Sequence, residues 1–433
     1  MLEGLRQYFR LTTWLILLAM LGLMIVGMFA IRASEAAEGD PPGFVMRQLI
    51  AGGVGLAAFA AAVAIPYRQF GRAAYPLFAV TLGLLALVLF LPPIRYSHRW
   101  IAVGPLQFQP SELAKLSLIL MLAWYLRYRS NYRRLLGLAV PFALTFVPMV
   151  LILREPDLGT ALLFLPTLYA MLMLAGARWV HLLGIVAVAT ALVLLPVPRP
   201  VPENADGAAD GRQALAYATV RVGGQRYALT AAPLIVVANH QVERIDGWLR
   251  QGDPSVAMDQ GYQLHQSKTA LACGQLAGSG NWADADLQLS LLPDDHTDFI
   301  FAVVGGQWGF VGCVGILALY GVIFLVGIEI ATATYDPFGR LLAVGVLGLL
   351  LAQIFINVGM TMGLMPITGM TLPFVSYGGS SLVINCVAMG LLVNVGLRRP
   401  ILLGRHPFEH GQKRERPLAV RKMHAGSRAS HED

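Results

Sequence analysis

Charge is what this chain has least of: Asp, Glu, Lys and Arg make up 13% of its 433 residues, against 56% hydrophobic, and mean hydropathy is +0.61. Soluble domains carry about twice that share of charge, so a water-soluble globular fold is excluded. Cysteine is nearly missing too. Of the three, Cys313 and Cys386 lie in apolar segments and Cys273 in a connection, which leaves no disulfide framework and no metal-ligand spacing. The net charge of +7 does not come from a basic folded module. Its arginines stand in short clusters between apolar runs, as in loops facing a cytoplasm and anionic lipid, and nucleic acid is not an expected partner.

What the chain does have is long apolar runs. Windows of about 20 residues predict about ten transmembrane helices, near 13–31, 47–66, 74–92, 111–126, 135–153, 158–176, 179–197, 298–328, 341–365 and 378–397. The first follows Arg6 and Arg10 like a signal peptide, but its length and the spans behind it favour a retained anchor. Arg6, Arg10, Arg68, Arg72, Arg127, Arg129, Arg133, Arg134, Arg178, Arg340, Arg398 and Arg399 fall on one side if the N-terminus is inside. The expected fold is therefore an all-α polytopic membrane protein with both termini cytoplasmic. One transmembrane domain takes residues 1–400, with a large extracytoplasmic loop at 198–297, and residues 401–433 form a disordered basic cytoplasmic tail.

Within that loop, Pro200 to Asp210 has a mobile composition, and 217–229, around Gly223 and Gly224, reads as a two-stranded hairpin. Ala238, Val242, Ile245 and Leu249, with Trp248, form a helical stripe opposite Glu243, Arg244 and Arg250. Such a stripe either lies flat on the membrane surface or, more commonly, packs on neighbouring helices.

Polar residues gather at the outer ends of the predicted spans in four groups. Leu291 to Val304, LLPDDHTDFIFAVV, sets Asp298 directly before Phe299, Ile300 and Phe301. A carboxylate there stands where water meets hydrocarbon, which suits a proton acceptor and equally a helix cap. Arg99 and Trp100 lead through Gln109, Pro110, Ser111 and Glu112 to Lys115, and Glu112 and Lys115 share a helix face, either as a substrate contact or as a solubilising ion pair. Arg154, Glu155, Pro156 and Asp157 form a short turn that is a site wall or simply solvated. Met365 to Ser381, MPITGMTLPFVSYGGSS, carries Ser376, Tyr377 and Ser380 and no charge, and irregular backbone of this kind at membrane depth must be sheltered by protein or line a cavity. Gln353 and Asn357 in the span before it read as interhelical hydrogen-bond partners. Basic and acidic groups beside lipid fit a substrate with an anionic head and a lipid tail, handled at the outer leaflet; a transporter would look alike.

RWIAVGPLQFQPSELAKL, EPDLGTALLF, LLPDDHTDFIFAVV and the long FGRLL…SYGGSS run, in the ten-span layout, resemble the SEDS family, typified by RodA and FtsW, over most of residues 10–400. Thr368-Gly369 and Pro373-Phe374-Val375 are more similar to the elongation branch. The resemblance implies polymerisation of peptidoglycan glycan strands from lipid II and undecaprenyl-pyrophosphate-linked glycan, at the outer face of the bacterial cytoplasmic membrane, with a class B penicillin-binding protein as partner. It implies Asp298 as the catalytic residue, and Arg99, Trp100, Glu112, Lys115, Arg154, Asp157, Ser376, Tyr377 and Ser380 as substrate-binding. Lys115, Arg99 and Arg154 would hold the pyrophosphate. No cofactor is required by this reading, although a Mg²⁺ or Mn²⁺ ion could share that task without a dense carboxylate set to hold it.

Two departures stand out. Gly305-Gly306-Gln307-Trp308-Gly309 replaces the family's usual pair of acids, and the segment from Cys273 to Gly280 loosens a glycine-rich run, while the hairpin looks inserted. The alternatives are a flippase for lipid-linked precursors and a weakly active scaffold for a transpeptidase. A flippase would favour repeated halves with broken helices, and no internal repeat is visible.

Overall fold

The computed structural model describes residues 2–38, 43–92, 99–103, 106–129, 131–200, 218–222, 225–231, 239–253, 261–279 and 296–398. Each predicted apolar window holds a helix: α1 (Leu2–Glu38), α2 (Phe44–Ala64), then the short α3 (Tyr67–Arg72), α4 (Ala74–Val88), α5 (Pro110–Leu126), α6 (Ala139–Arg154), α7 (Leu158–Ala175) and α8 (Trp179–Val193). After the long connection, where α9 (Asn239–Leu249) and α10 (Tyr262–Gly274) lie, come α11 (Ile300–Ala333), α12 (Pro337–Thr361) and α13 (Gly379–Arg398). Among the described residues, seven helices are long and apolar enough to cross a membrane, while α4 and α8 are shorter apolar helices. Helix α5 is 17 residues long and carries Glu112 and Lys115 within it. The chain is an all-α polytopic membrane protein, and its described strands are confined to two small sheets.

Between helices in lipid there is little hydrophobic drive, so small residues that let backbones touch decide the pairings. A Cβ on Gly55 of α2 would stand 3.0 Å from Cys386 Sγ of α13, and one on Gly390 would stand 2.7 Å from the Phe59 carbonyl oxygen. A Cβ on Gly345 of α12 would sit 2.6 Å from Ile119 of α5, with Met171 of α7 beside it.

The arginine-bearing loops meet at one end of the bundle. Tyr67 Oη donates to Asp336 at 2.7 Å and Arg68 pairs with the same carboxylate at 3.5 Å. Asn394 accepts from the Tyr67 N–H and donates to the carbonyls of Ala62 and Ile65, closing the end of α2, and Arg398 joins it at 3.1 Å. Phe338 stacks between Tyr67 and Trp124, and the Arg127 guanidinium lies 3.0 Å above the Trp124 ring. The candidate site occupies the opposite end.

The connection between α8 and α11 is more structured than its composition suggests. Strands β4 (Ala218–Val222) and β5 (Gln225–Ala231) pair antiparallel, and β3 (Pro196–Pro200), unforeseen in the sequence, pairs with the far side of β5. A two-stranded hairpin alone is marginal, and the third strand supplies part of what it lacks. The 201–217 stretch, the hairpin turn, Asp294, Asp295 and the 401–433 tail lie outside the described residues.

Helix α9 does not lie flat on a lipid surface. Trp248 Nε1 and Gln251 Nε2 both donate to the Gly363 carbonyl, at 3.0 and 3.2 Å, so α9 docks on the turn that ends α12. Leu249, expected in the docked stripe, is 57% exposed. The turn's carbonyl, which needs a donor, draws in the Trp248 edge of the stripe and leaves Leu249 outside.

Just after Gly306 and Gln307, α11 is broken: Gly309 takes φ +64°. The amides of Phe310 and Val311, freed by the break, donate to the carbonyls of Gln275 and Leu276, and the Ser279 amide donates to Gly306 O. The 274–279 segment therefore crosses α11 backbone to backbone, and a Cβ on Gly274 would fall 1.9 Å from Gly305 O. Gly274→Ala is expected to destabilise this crossing by about 1–3 kcal/mol through overpacking. Limited proteolysis in detergent should find the connection cut faster with helix content unchanged, whereas Gly252→Ala, with nothing within 4 Å of its added carbon, should behave as wild type.

Candidate functional site

The site is built around a turn and an irregular segment that clasp each other. Asp298 ends the turn 296–299 and is half-buried, while the next residues, Phe299 and Ile300, are fully enclosed. The carboxylate thus stands at the last polar position before the apolar interior. Asn357, fully buried on α12, donates from Nδ2 to the Asp298 carbonyl at 2.9 Å and to the Met370 carbonyl, tying the turn to the 362–378 segment. Asn357 thus bonds the carbonyls of a turn and an irregular segment rather than a neighbouring helix, as the sequence suggested, and Gln353 Oε1 is buried without a hydrogen-bond partner in the structure. Gly369, at φ +68°, then brings the chain close under the carboxylate. A Cβ there would lie 3.4 Å from Asp298 Oδ2 and 3.5 Å from Arg244 Nη1, so a helix of the connection delivers a guanidinium beside the aspartate.

The 362–378 segment is sheltered as irregular backbone in this setting must be. Ile367, Met370, Leu372, Phe374 and Val375 are buried, and side chains supply its hydrogen bonds. Ser376 Oγ accepts from the Leu372 N–H at 2.7 Å, Gln48 donates to Ser376 O at 3.0 Å and accepts from the Gly378 N–H, and Tyr320 donates to Pro373 O. Phe374 is held at φ +67°, a conformation that costs a residue with a side chain of order 1–3 kcal/mol and persists where the surroundings over-determine it. Glu35 receives the amides of Gly43, Phe44 and Val45 at the start of α2. Phe44 in turn stacks on His296, 4.5 Å between ring centroids, with the Tyr377 ring edge-on at 5.0 Å.

A second wall comes from β1 (Ile101–Val103) and β2 (Leu106–Phe108), an antiparallel pair leading into α5. Ser380 donates to Gln107 O at 2.9 Å, and Gln109 Nε2 reaches both Ser111 Oγ at 2.9 Å and Asp157 Oδ2 at 3.2 Å. Asp157 is the N-cap of α7, accepting from the Thr160 amide at 3.1 Å and its hydroxyl at 2.9 Å. Glu112 and Lys115 form an ion pair of 2.7 Å in which the lysine is 2% exposed. It is buried within the bundle, so it solubilises nothing and its ammonium is committed. Arg99 donates to the carbonyls of Glu155 and Pro156.

The predicted residues therefore divide. Asp298 stands at the rim with Tyr377 near it through His296. Ser376, Ser380 and Asp157 have hydrogen-bonding work inside the protein, Trp100 is half-buried beside Arg99, and Arg154 is exposed at the end of α6. Arg244 and Gly369 were missed as site residues. The signal for the first was present in the i, i+4 spacing of Arg244 and Trp248 on one helix face. Glu155 was also missed: it is fully buried, neither carboxyl oxygen has a hydrogen-bond partner in the structure, and it is next to the exposed Arg154 that sequence reading preferred. Burial, and then the charge of Asp157, push its carboxyl up to about 8, with Arg99 pulling back. Among the described residues no three of His, Cys, Asp and Glu stand together as metal ligands.

A family model described as Cell cycle protein, spanning FtsW, RodA and SpoVE, matches residues 9–199 and 211–399. The probable peptidoglycan glycosyltransferase FtsW of Trichlorobacter lovleyi is 32% identical, covering 94% of this chain and 99% of that protein. The peptidoglycan glycosyltransferase MrdB of Escherichia coli K12 is 30% identical over 89% and 94%, and RodA of Treponema pallidum 32% identical over 89% and 98%. Among solved structures, a chain of a peptidoglycan synthase complex studied for the coordination of polymerization and crosslinking superposes with TM-score 0.69 at 30% identity, over 89% of this chain and 98% of that one. The rod shape determining protein RodA of Thermus thermophilus gives 0.60 at 28% identity, over 89% and 97%.

Glu155 supplies a pH test of the second wall. Folded, it keeps its proton up to about pH 8; unfolded, it loses it above 4.5, so between these values the native state binds the extra proton. Its contribution to stability is complete below 4.5, declines through that window and is lost above about 8. Glu155→Gln should melt near the wild-type temperature at about pH 5 and clearly above it at about pH 9, in detergent. Parallel melting curves for the two proteins across that range would contradict the assignment.

Proposed function

Since the chain belongs to the FtsW, RodA and SpoVE family of cell cycle proteins, we propose that it polymerises glycan strands from lipid II, with Asp298 as general base. The chain is a peptidoglycan glycosyltransferase, as its relatives over nearly their whole length are named. The observation that carries the assignment is the setting of Asp298, a half-buried carboxylate directly ahead of enclosed apolar residues, at the bundle end opposite the arginines.

The orientation follows from those charges. With the arginine end in the cytoplasm, both termini are cytoplasmic and Asp298 faces outward at the bacterial inner membrane, beside the outer leaflet. There the lipid tail of a precursor stays in hydrocarbon while its diphosphate and sugars reach the rim. A sugar hydroxyl of the acceptor attacks the anomeric carbon of the growing strand, Asp298 takes the hydroxyl proton, and the bond to the lipid diphosphate breaks with its electron pair leaving on the phosphate oxygen. One displacement with one base inverts the sugar.

The partner that fits this reading is a class B penicillin-binding protein, in keeping with the synthase complex that the chain resembles, and the role is wall growth in cell elongation. A flippase would need a sealed compartment for any readout, and a polymerase does not. Purified protein in detergent, alone or with its transpeptidase, should join labelled lipid II into strands resolvable on a gel. No product under either condition, from folded protein, would move the assignment to a flippase or a scaffold.

A further inference from the structure

A glycosyl transfer of this kind must neutralise the diphosphate as it leaves, and two of the three cations first nominated for that work are otherwise engaged. Lys115 is closed into its pair with Glu112, Arg99 is spent on two backbone carbonyls, and Arg154 is exposed at the end of α6. The structure brings a different cation to Asp298. Arg244 and Trp248 are one turn apart on α9, hence on one face, and the Trp248 and Gln251 donors to Gly363 hold that face against the 361–369 segment. Lys268 of α10 bonds Gln251 at 3.1 Å, and Ser267 donates to Thr361 O at 2.9 Å, so two helices brace the same turn. Arg244 Nη1 is thereby set across Gly369 from Asp298 Oδ2. Of the acids that follow it in sequence, Asp246 and Asp253 are both engaged by Arg250. Arg244 itself has no ion pair with any described residue.

We propose that Arg244 is a further catalytic residue, the guanidinium that binds the departing lipid diphosphate next to the base. The inference rests on the reading of Asp298 as that base. A planar fork of donors grips two phosphate oxygens at once, which a lysine cannot do, and at a half-buried rim such charge-assisted bonds act where negative charge grows. Gly369 fits this arrangement, because any side chain there would enter the space between base and cation. Docking of α9 becomes part of assembling the site: the helix contributes the electrophilic half and the 296–299 turn the basic half.

The probe is farnesyl diphosphate, a short polyprenyl diphosphate, titrated against the full-length protein in detergent by competition with labelled lipid II and by direct calorimetry, with farnesol as control. Asp298→Asn should bind it at least as tightly as wild type, since the change removes a negative charge beside the diphosphate and no ligand to it. Arg244→Ala should bind at least about tenfold more weakly, as loss of a charge-assisted pair demands, with Arg244→Lys between the two. Arg244→Gln replaces the alanine variant if that one fails to insert. Unchanged affinity in the uncharged variants, or a lysine variant as weak as they are, overturns the assignment and leaves Asp298 untouched. An Asp298→Asn protein that still polymerises would instead remove the base while the diphosphate site stands on its binding data.

Discussion

The amide of Asn357 holds the active end of this molecule together. Backbone at membrane depth has no water to satisfy it, so a turn and an irregular segment can coexist there only if something donates to both. Asn357 does so from one nitrogen, to Asp298 O and Met370 O, in a fully enclosed position on the well-buried α12. The consequence is geometric. The carboxylate of Asp298 is positioned at the rim by a rigid helix through its own main chain.

Around that clamp, polar groups fall into two populations that composition alone would merge. Glu35, Gln48, Asp157, Ser376 and Asn394 all serve backbone groups freed by helix ends and turns, which is the price of building long helices with irregular joints inside a bilayer. Asp298 and Arg244 face the same glycine instead and have no such duty to each other's backbone. The strained Phe374 and the broken α11 at Gly309 lie in the same half of the protein, where packing is tight enough to hold them. Stability and chemistry are thus separated residue by residue within one shell.

Much of this was legible in the sequence. The helix windows were, because apolar runs of span length admit few other structures, and so was the special standing of Asp298, a carboxylate pressed against Phe299 and Ile300. The sheltered character of Met365 to Ser381 followed from its prolines and glycines. Residue type alone does not show partners: Lys115 and Arg99 read as anion ligands, and in the structure Glu112 and two carbonyls occupy them. The stripe of α9 packs on its neighbours through Trp248, but its Leu249 is exposed, because the donors to the Gly363 carbonyl set the docking angle. Glu155 could not be distinguished from Arg154 by sequence, since which of two adjacent side chains turns inward at a helix end is set by packing from other elements. Partner contacts such as Arg244 to Gly369 join positions more than a hundred residues apart and leave no local pattern.

The central claim is that a single carboxylate on the 296–299 turn accepts the acceptor's proton. It is tested most directly by the single-turnover rate of strand elongation on labelled lipid II by Asp298→Asn, in protein shown to be inserted and to melt as wild type does. The account predicts loss of about a hundredfold or more, the usual scale for a general base. A variant that retains near wild-type turnover would contradict it.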